Sequence, residues 1–229
     1  MLFQNRQQAG KLLAKELKKY LSDNQNLLIL ALPRGGAPVG FEIAKAFDVK
    51  LNVIICRKIG APGNPEFAIG AISEAGGLFL NKQIIDVYGI SQKYIDDVIA
   101  AEQEKISAYQ KEFKKDTEPL CGSVHSATII LLVDDGAATG MTIKAAIDAA
   151  RKFKPAKIII ALPVAPLDTA QELRQLSNQT VILATPLDFH AVGQFYEDFA
   201  QVETEEVKTL LNLANQSQLP HALKHQNIK

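Results

Sequence analysis

Short aliphatic runs without alternating polar residues constrain the fold of this chain more than any other feature of its sequence. Runs of this length and character predict strands that are buried on both faces of a parallel sheet. The predicted strands are 27–32, 51–56, 127–133, 157–162 and the shorter 181–184. The helical patterns between them are at about 6–21, 38–47, 91–115, 141–153 and 167–176. We therefore predict an α/β fold with right-handed crossovers and a doubly wound, mainly parallel, five-stranded sheet.

Residues 57–81 interrupt this alternation. The segment is rich in glycine and proline and contains only short apolar pieces. Such a composition predicts a loop with a small hairpin rather than a crossover helix, and the hairpin strands are expected at 68–72 and 78–80. A loop of this length inside a compact domain usually has a function.

Composition and charge exclude several classes of protein. The chain has 229 residues, of which 47% are hydrophobic and 22% charged, so a disordered protein is excluded. Its 25 basic residues balance 25 acidic ones, which argues against a nucleic-acid partner or a polybasic membrane anchor. No apolar run approaches the ~20 residues that a membrane span needs. Two cysteines, Cys56 and Cys121, cannot form a disulfide framework. We expect a single cytoplasmic domain covering residues 1–229.

The strongest motif follows the predicted strand at 127–133. The strand ends in Asp134 and Asp135, and a loop of small residues then opens a helix. In a doubly wound sheet, ligands bind at this end of the strands. Small residues let the loop backbone approach an anion, and the helix start adds N–H groups. Carboxylates suit vicinal hydroxyls and the loop suits a phosphate, so the motif predicts a phosphorylated pentose as ligand.

The segment from Ile129 to Thr142 resembles the signature of the type I phosphoribosyltransferase family, in which two hydrophobic residues and two acids precede Gly-x-x-Thr-Gly-x-Thr. The resemblance implies that Asp134 and Asp135 act in catalysis and bind the ribose hydroxyls of 5-phosphoribosyl-1-pyrophosphate (PRPP). The residues implied for its 5′-phosphate are Gly136, Ala137, Ala138, Thr139, Gly140, Met141 and Thr142. The implied cofactor is Mg²⁺, held through PRPP, with Asp134 and Asp135 as candidate contacts and no direct protein ligand assigned.

Residues 32–40 resemble the pyrophosphate loop of the same family. They read Leu-Pro-Arg-Gly-Gly-Ala-Pro-Val-Gly, which implies that Arg34, Gly35 and Gly36 bind PRPP. A dinucleotide fingerprint would need glycine in place of Ala37, and the chain has no Gly-Lys-Ser/Thr phosphate loop.

Residues 57–66 read Arg-Lys-Ile-Gly-Ala-Pro-Gly-Asn-Pro-Glu. They resemble the catalytic flexible loop of the same family, in the form found in a widespread bacterial subgroup. The resemblance implies that Arg57 and Lys58 are catalytic and meet the leaving pyrophosphate, while residues 59–74 close as a lid. The alternative is two solvated charges after an edge strand. Glu66 and Glu74 are further candidate contacts, although exposed carboxylates are usually only solvated.

The resemblance also divides the chain into parts. It implies a core at about 22–57 and 82–184, and a small lid or hood from an insertion at 58–81 and the C-terminal region at 185–200. A C-terminal helix and frayed tail are expected over 203–229.

The aromatic segment 184–199 is expected at the ligand end of the last strand. Asp188 and Phe189 are candidate contacts for an acceptor base, and His190 is either a contact or a surface residue. For Phe195, Tyr196 and Phe199 we favour a role in closing the C-terminal core.

The implied reaction is displacement of pyrophosphate from PRPP by the nitrogen of a small-molecule acceptor, which would make the protein a pentosyltransferase. Ala138 stands where transferases for 6-oxopurines have an aspartate, so hypoxanthine and guanine are disfavoured and the acceptor is left open. The alternative is a PRPP-sensing or PRPP-binding protein without turnover. Arg57, Lys58 and a full-length lid favour the enzyme, and a homodimer is compatible with either function.

Overall fold

The computed structural model describes residues 2–22, 26–113 and 124–216. In chain order its elements are α1 (Arg6–Leu17), β1 (Leu27–Ala31), α2 (Gly36–Phe47), β2 (Leu51–Val53), β3 (Cys56–Ala61), β4 (Asn64–Ser73), β5 (Leu78–Leu80), α3 (Lys82–Val87), α4 (Gln92–Phe113), β6 (Ile129–Val133), α5 (Met141–Lys152), β7 (Lys157–Val164), α6 (Leu167–Leu176), β8 (Gln179–Ala184) and α7 (Thr204–Gln216). A 3₁₀ turn covers Val192–Phe195.

The main sheet has five parallel strands in the order β2-β1-β6-β7-β8. Ile29 of β1 lies between Leu51 of β2 and Leu131 of β6. Neighbouring residues of a strand face opposite sides of the sheet. Every residue of β1 and β6 is buried, so helices cover both faces of the sheet at these strands. The predicted α/β class and parallel five-stranded sheet are confirmed.

Each helical layer presents an apolar stripe to one face of the sheet. One layer contains α1, α2 and α7, with Leu13, Ile43 and Leu211 in the core. The other contains α5 and α6, with Ile147 and Leu173 in the core. Spacing of three to four residues puts such side chains on one side of a helix.

The predicted strand 51–56 is wrong in its extent. The main-sheet strand ends at Val53, and the chain enters a second sheet at Cys56. Between them, the amide of Ile55 donates to the Glu74 carboxylate at 3.1 Å, and the Glu74 amide donates to the Ile55 carbonyl at 2.9 Å. These long-range bonds redirect the chain, and nothing inside the apolar run marks the change of sheet.

The second sheet is antiparallel, with the order β3-β4-β5. Pairing of Gly70 with Leu80 and of Ile72 with Leu78 confirms the predicted hairpin. The preceding segment, expected as loop, is instead the hairpin of β3 and β4. Its glycines belong to the strand pair, since Gly63 has φ of 74° in the turn and Gly60 lies at a shift of register.

The N-terminal segment is joined to the segment after β8. The Phe3 amide donates to the Phe195 carbonyl, and the Glu197 amide donates to the Phe3 carbonyl, both at 2.8 Å. Helix α7 follows and packs on α2. The tail is predicted to fray from Asn215, but Asn215 and Gln216 are the last residues of α7. The tail beyond Gln216 lies outside the described residues. Within the described ranges, no helix is both long and apolar enough to cross a membrane.

Candidate functional site

Two motifs meet at the carboxyl ends of the neighbouring strands β1 and β6. They are the acid pair, Asp134 and Asp135, and the glycine turn, Gly35 and Gly36. The Leu32 amide donates to the Val133 carbonyl at 2.8 Å, which joins the two exits. A Cβ added to Gly35 would overlap Oδ2 of Asp135. The two motifs therefore form one site, and a side chain at Gly35 would collide with the carboxylate.

Asp135 is held by residues from both ends of the chain. Arg6 Nε donates to its Oδ2 at 2.7 Å, and the Tyr196 hydroxyl donates to its backbone carbonyl at 2.6 Å. Arg6 also donates to the Ala200 carbonyl at 2.8 Å, and its guanidinium lies 3.9 Å from the centre of the Phe199 ring. Burial and the negative charge of Asp135 raise the pKa of Tyr196, so the hydroxyl stays protonated and donating. The sequence does not point to Arg6, because no local motif surrounds it.

The two carboxyl groups have perturbed pKa values. Burial, followed by the charge of Asp135, raises the pKa of Asp134 well above its ordinary value. Burial also raises the pKa of Asp135, although Arg6 opposes that shift. Asp134 Oδ1 accepts a hydrogen bond from the Asp135 amide at 2.9 Å. Two neighbouring carboxyl groups that are hidden from water favour a ligand that brings hydroxyl donors or positive charge.

The loop after the acid pair leads directly into α5. Ala138 and Thr139 are exposed, whereas Gly136 is buried against Val192, whose Cγ1 would lie 2.6 Å from an added Cβ. Gly140 caps the helix with φ of 66°, a left-handed conformation that favours glycine. The remaining positions predicted to bind phosphate, Ala137, Met141 and Thr142, lie in the same turn and the first helical residues.

Arg34 lies beside the glycine turn and reaches towards the segment before α7. Its Nη1 is 3.5 Å from Oε2 of Glu203, and the Arg34 side chain is 30% exposed. The peptide bond between Pro33 and Arg34 is cis. Since the ion pair is long and Glu203 is 68% exposed, the guanidinium is accessible to an anion.

Arg57 and Lys58 lie on β3 and line a cleft of about 710 Å³ together with Thr142 in the first turn of α5. Arg57 Nε donates to Glu102 Oε2 at 2.8 Å, and Lys105 Nζ donates to Glu102 Oε1 at 2.6 Å. Burial of Glu102 works against ionisation, but these two hydrogen bonds hold the pKa of its carboxyl below the ordinary value. The sequence does not point to Glu102 or Lys105, which come from the long helix α4.

The two other candidate carboxylates of this region differ. Glu66 lines the cleft and is exposed. Glu74 accepts hydrogen bonds from the Ile55 amide at 3.1 Å and from Gln110 Nε2 at 2.9 Å, so it anchors the start of the second sheet.

The candidate acceptor contacts separate in the structure. Phe189 packs on Phe195, with ring centres 5.2 Å apart, whereas Asp188 is 83% exposed and pairs with His190 at 2.9 Å. Phe195 and Tyr196 are buried, as the packing prediction requires, and Phe199 is 36% exposed. Contact of Asp188 or Phe189 with an acceptor stays a prediction.

The site offers few metal ligands of its own. Within the described residues, no three histidine, cysteine or acidic side chains are grouped so as to hold a metal ion. The acid pair supplies the hard oxygen atoms that Mg²⁺ prefers. These residues fit a metal that is shared with an oxygen-rich ligand better than a metal caged by protein alone.

Comparison with known proteins gives consistent matches. The family model described as "Phosphoribosyl transferase domain" matches residues 2–199. Two Mycobacterium tuberculosis proteins, from strains CDC 1551 / Oshkosh and ATCC 25618 / H37Rv, are 37% identical over 216 residues, or 93% of this chain. Their names mark a phosphoribosyl transferase assignment as provisional and give no acceptor. This chain spans 47% of their length.

A solved structure is similar over nearly the whole chain. The crystal structure of TT1426 from Thermus thermophilus has a TM-score of 0.75 and 33% sequence identity. The match covers 92% of this chain and 98% of the other.

Proposed function

Because the chain belongs to the phosphoribosyl transferase family, we propose that it transfers the phosphoribosyl group of PRPP to a nitrogen nucleophile in the presence of Mg²⁺. The observation that carries this proposal is the packing of the acid pair against the glycine turn. Asp135 Oδ2 occupies the space beside Gly35, at the end of the sheet where ligands bind.

The parts of PRPP are assigned to separate groups of the site. Asp134 and Asp135 accept hydrogen bonds from the ribose hydroxyls. Residues 136–142, the phosphate loop, bind the 5′-phosphate through backbone N–H groups. The Ala137 amide is not one of these, because it donates to the Val164 carbonyl at 3.0 Å. The guanidinium of Arg34 and the amide of Gly35 bind the pyrophosphate. Gly36 lines the same turn, but its amide already donates to the Leu32 carbonyl at 3.0 Å. In this assignment, the C1 atom of the ribose would lie between the phosphate loop and the glycine turn.

In the reaction, the acceptor nitrogen forms a bond to C1 while the bond from C1 to the pyrophosphate oxygen breaks. The electron pair leaves with pyrophosphate, and the proton of the acceptor nitrogen passes to water. Positioning and stabilisation of the leaving charge supply most of the catalysis. Lys58 and Arg57 face the cleft from β3 and add positive charge there.

Burial and the charge of Asp135 disfavour the ionised form of Asp134. A divalent cation beside the acid pair would offset both effects. Asp134 and Asp135 would hold Mg²⁺ together with PRPP oxygens. When bound, Mg²⁺ neutralises charge on the pyrophosphate.

The acceptor is defined only by exclusion. Ala138 offers no carboxylate towards a base, which disfavours 6-oxopurines. Phe189 and Asp188 are the proposed acceptor contacts of the C-terminal segment.

A second function, PRPP binding without turnover, is favoured by one observation. Arg57 is already paired with Glu102, so in this conformation its charge is partly neutralised. Lys58 would then carry more of the interaction with pyrophosphate.

An assay of pyrophosphate release separates the two functions. The protein is incubated with PRPP, Mg²⁺ and a panel of nucleobases and amines, with the Asp134→Asn/Asp135→Asn variant as control. We expect release that depends on one class of acceptor and is lost in the variant. Micromolar PRPP binding without release for any acceptor would overturn the transferase and support the binding protein.

A further inference from the structure

We propose that Thr169 and Lys144 are positioning residues that hold the phosphate loop in a conformation ready to bind the 5′-phosphate. The inference rests on the proposed function, because that function assigns the phosphate to this loop. Both residues are buried, and both contact the loop from the side of α5 and α6.

Thr169 fixes the orientation of the peptide between Ala138 and Thr139. Its hydroxyl donates to the Ala138 carbonyl at 2.6 Å. In a planar trans peptide, the carbonyl and the following N–H point in opposite directions. The Thr139 N–H is therefore directed away from α6 and towards the open side of the loop.

Lys144 fixes the next peptide in the same way. Its Nζ donates to the Thr139 carbonyl at 3.2 Å, so the Gly140 N–H is also directed away from the helices. The Lys144 side chain is 5% exposed, and its charge is compensated by Glu172 of α6. The ammonium also lies 4.9 Å from the centre of the Phe79 ring of β5. These partners keep the ammonium in place under the loop.

Gly140 shows how closely the two side chains support the loop. A Cβ at this position would lie 3.0 Å from Cγ2 of Thr169 and 3.7 Å from Cε of Lys144. Among the described residues, no acceptor is found for the N–H groups of Ala138, Thr139 and Gly140. Consecutive N–H groups without partners form a concave anion site.

This arrangement determines affinity through preorganisation. Without the two anchors, the peptides at Ala138 and Thr139 could rotate and present carbonyl oxygens to the phosphate. Holding them in advance removes that ordering cost from binding. The anchors contact only the phosphate half of the proposed site, so their loss should spare the pyrophosphate half.

The test is calorimetric titration of ribose 5-phosphate and, separately, of pyrophosphate, each with Mg²⁺. The variants are Thr169→Val and Lys144→Met, with Thr169→Ser retaining the hydroxyl. Thr209→Val and Lys152→Met are matched controls, since each removes a similar side-chain bond to a backbone carbonyl elsewhere. We expect about three- to tenfold weaker binding of ribose 5-phosphate for Thr169→Val and Lys144→Met. Pyrophosphate affinity should stay within about twofold for all variants, and Thr169→Ser should resemble the wild type.

The outcomes distinguish this inference from the proposed function. If the wild type binds both ligands and Thr169→Val and Lys144→Met bind ribose 5-phosphate normally, the positioning role is wrong while the proposed function stands. Parallel loss of both ligands would show a general structural role and would also overturn the inference. A wild type that binds neither ligand would overturn the proposed function, and the inference with it.

Discussion

Asp134 and Asp135 lie side by side at the end of β6, but the protein surrounds them unequally. Asp135 receives the Arg6 guanidinium, whereas Asp134 Oδ1 receives a backbone amide. The larger pKa increase is accordingly at Asp134, where burial and the neighbouring charge add. A carboxylate that is hidden from water in this way lowers the stability of the free protein, as is common at sites that serve binding.

The variant Asp134→Asn should be more stable than the wild type in magnesium-free buffer at neutral pH. The asparagine side chain still offers an oxygen that can accept from the Asp135 N–H, and the substitution removes a negative charge that is hidden from water. We expect Tm to rise by about 2–4 °C, which corresponds to about 1 kcal/mol in a chain of this size. The measurement is thermal unfolding followed by circular dichroism, with Asp97→Asn, an exposed carboxylate, as control.

The pH dependence of this difference has a definite sign. Because the folded-state pKa of Asp134 is raised, the folded protein binds more protons than the unfolded chain, and stability falls as pH rises. The loss begins near the ordinary carboxyl pKa of about 3.9 and is complete above the raised value. The gap between variant and wild type should therefore widen from pH 4 to pH 8; a constant gap would contradict the account.

Removing Arg6 should lower the free energy of unfolding strongly, because the Asp135 carboxylate would stay hidden from water without its cationic partner. Both side chains are largely buried, at 10% and 13% exposure. We expect Arg6→Met to lose about 3–5 kcal/mol of unfolding free energy in urea titrations. Arg6→Met/Asp135→Asn should recover part of that loss. A cost below about 1 kcal/mol, as for an exposed pair, would contradict a structural role for this ion pair.

Residues of the site differ in how far the sequence predicts them. The acid pair and the small-residue loop form a continuous motif, so their proximity follows from local order alone. Arg6 lies 129 positions from Asp135, and Thr169 lies 31 positions from Ala138. Such contacts depend on how helices pack against the sheet, which no short pattern in one sequence encodes.

At the scale of elements, the hairpin of β3 and β4 is one of the places where the sequence prediction is wrong. Glycine and proline suggested a loop, but here they form a tight turn at Gly63 and a bulge at Gly60. Tyr94 of α4 donates to the Gly60 carbonyl at 3.0 Å, which supports the bulge from outside the hairpin. Composition alone does not separate a bulged hairpin from a loop, because both need the same residues.

The hairpin should respond to ligand if residues 59–74 act as a lid. Binding of PRPP with Mg²⁺ should slow hydrogen exchange of amides in 56–73 by about tenfold, because closure lowers the population of open states. Exchange mass spectrometry measures this, and β8 provides an internal control that should not change. Unaltered exchange in the hairpin at saturating PRPP would rule out closure.

At the scale of the whole molecule, the position of the site follows from strand order. From β1 the chain crosses to β2 on one side, while β6, β7 and β8 extend the sheet on the other. The crevice between the ends of β1 and β6 is thus a topological switch point, where α/β proteins bind ligands. The sequence could place the motifs at strand ends, but only the strand order shows that β1 and β6 are neighbours.

Net charge is informative only at this largest scale. The 25 basic and 25 acidic residues cancel, so the chain has no overall attraction for polyanions. Arg34, Lys58 and the start of α5 nevertheless concentrate positive potential at one edge of the sheet. A neutral protein can therefore hold a small, strongly anionic ligand without a broad basic surface.

The central claim is that the acid pair and the phosphate loop bind PRPP. Calorimetric titration of PRPP with Mg²⁺ into the wild type and into Asp134→Asn/Asp135→Asn tests it most directly. The account predicts micromolar binding to the wild type and no measurable binding to the variant, while thermal unfolding shows the variant to be folded. Equal affinity of the two proteins for PRPP would contradict it.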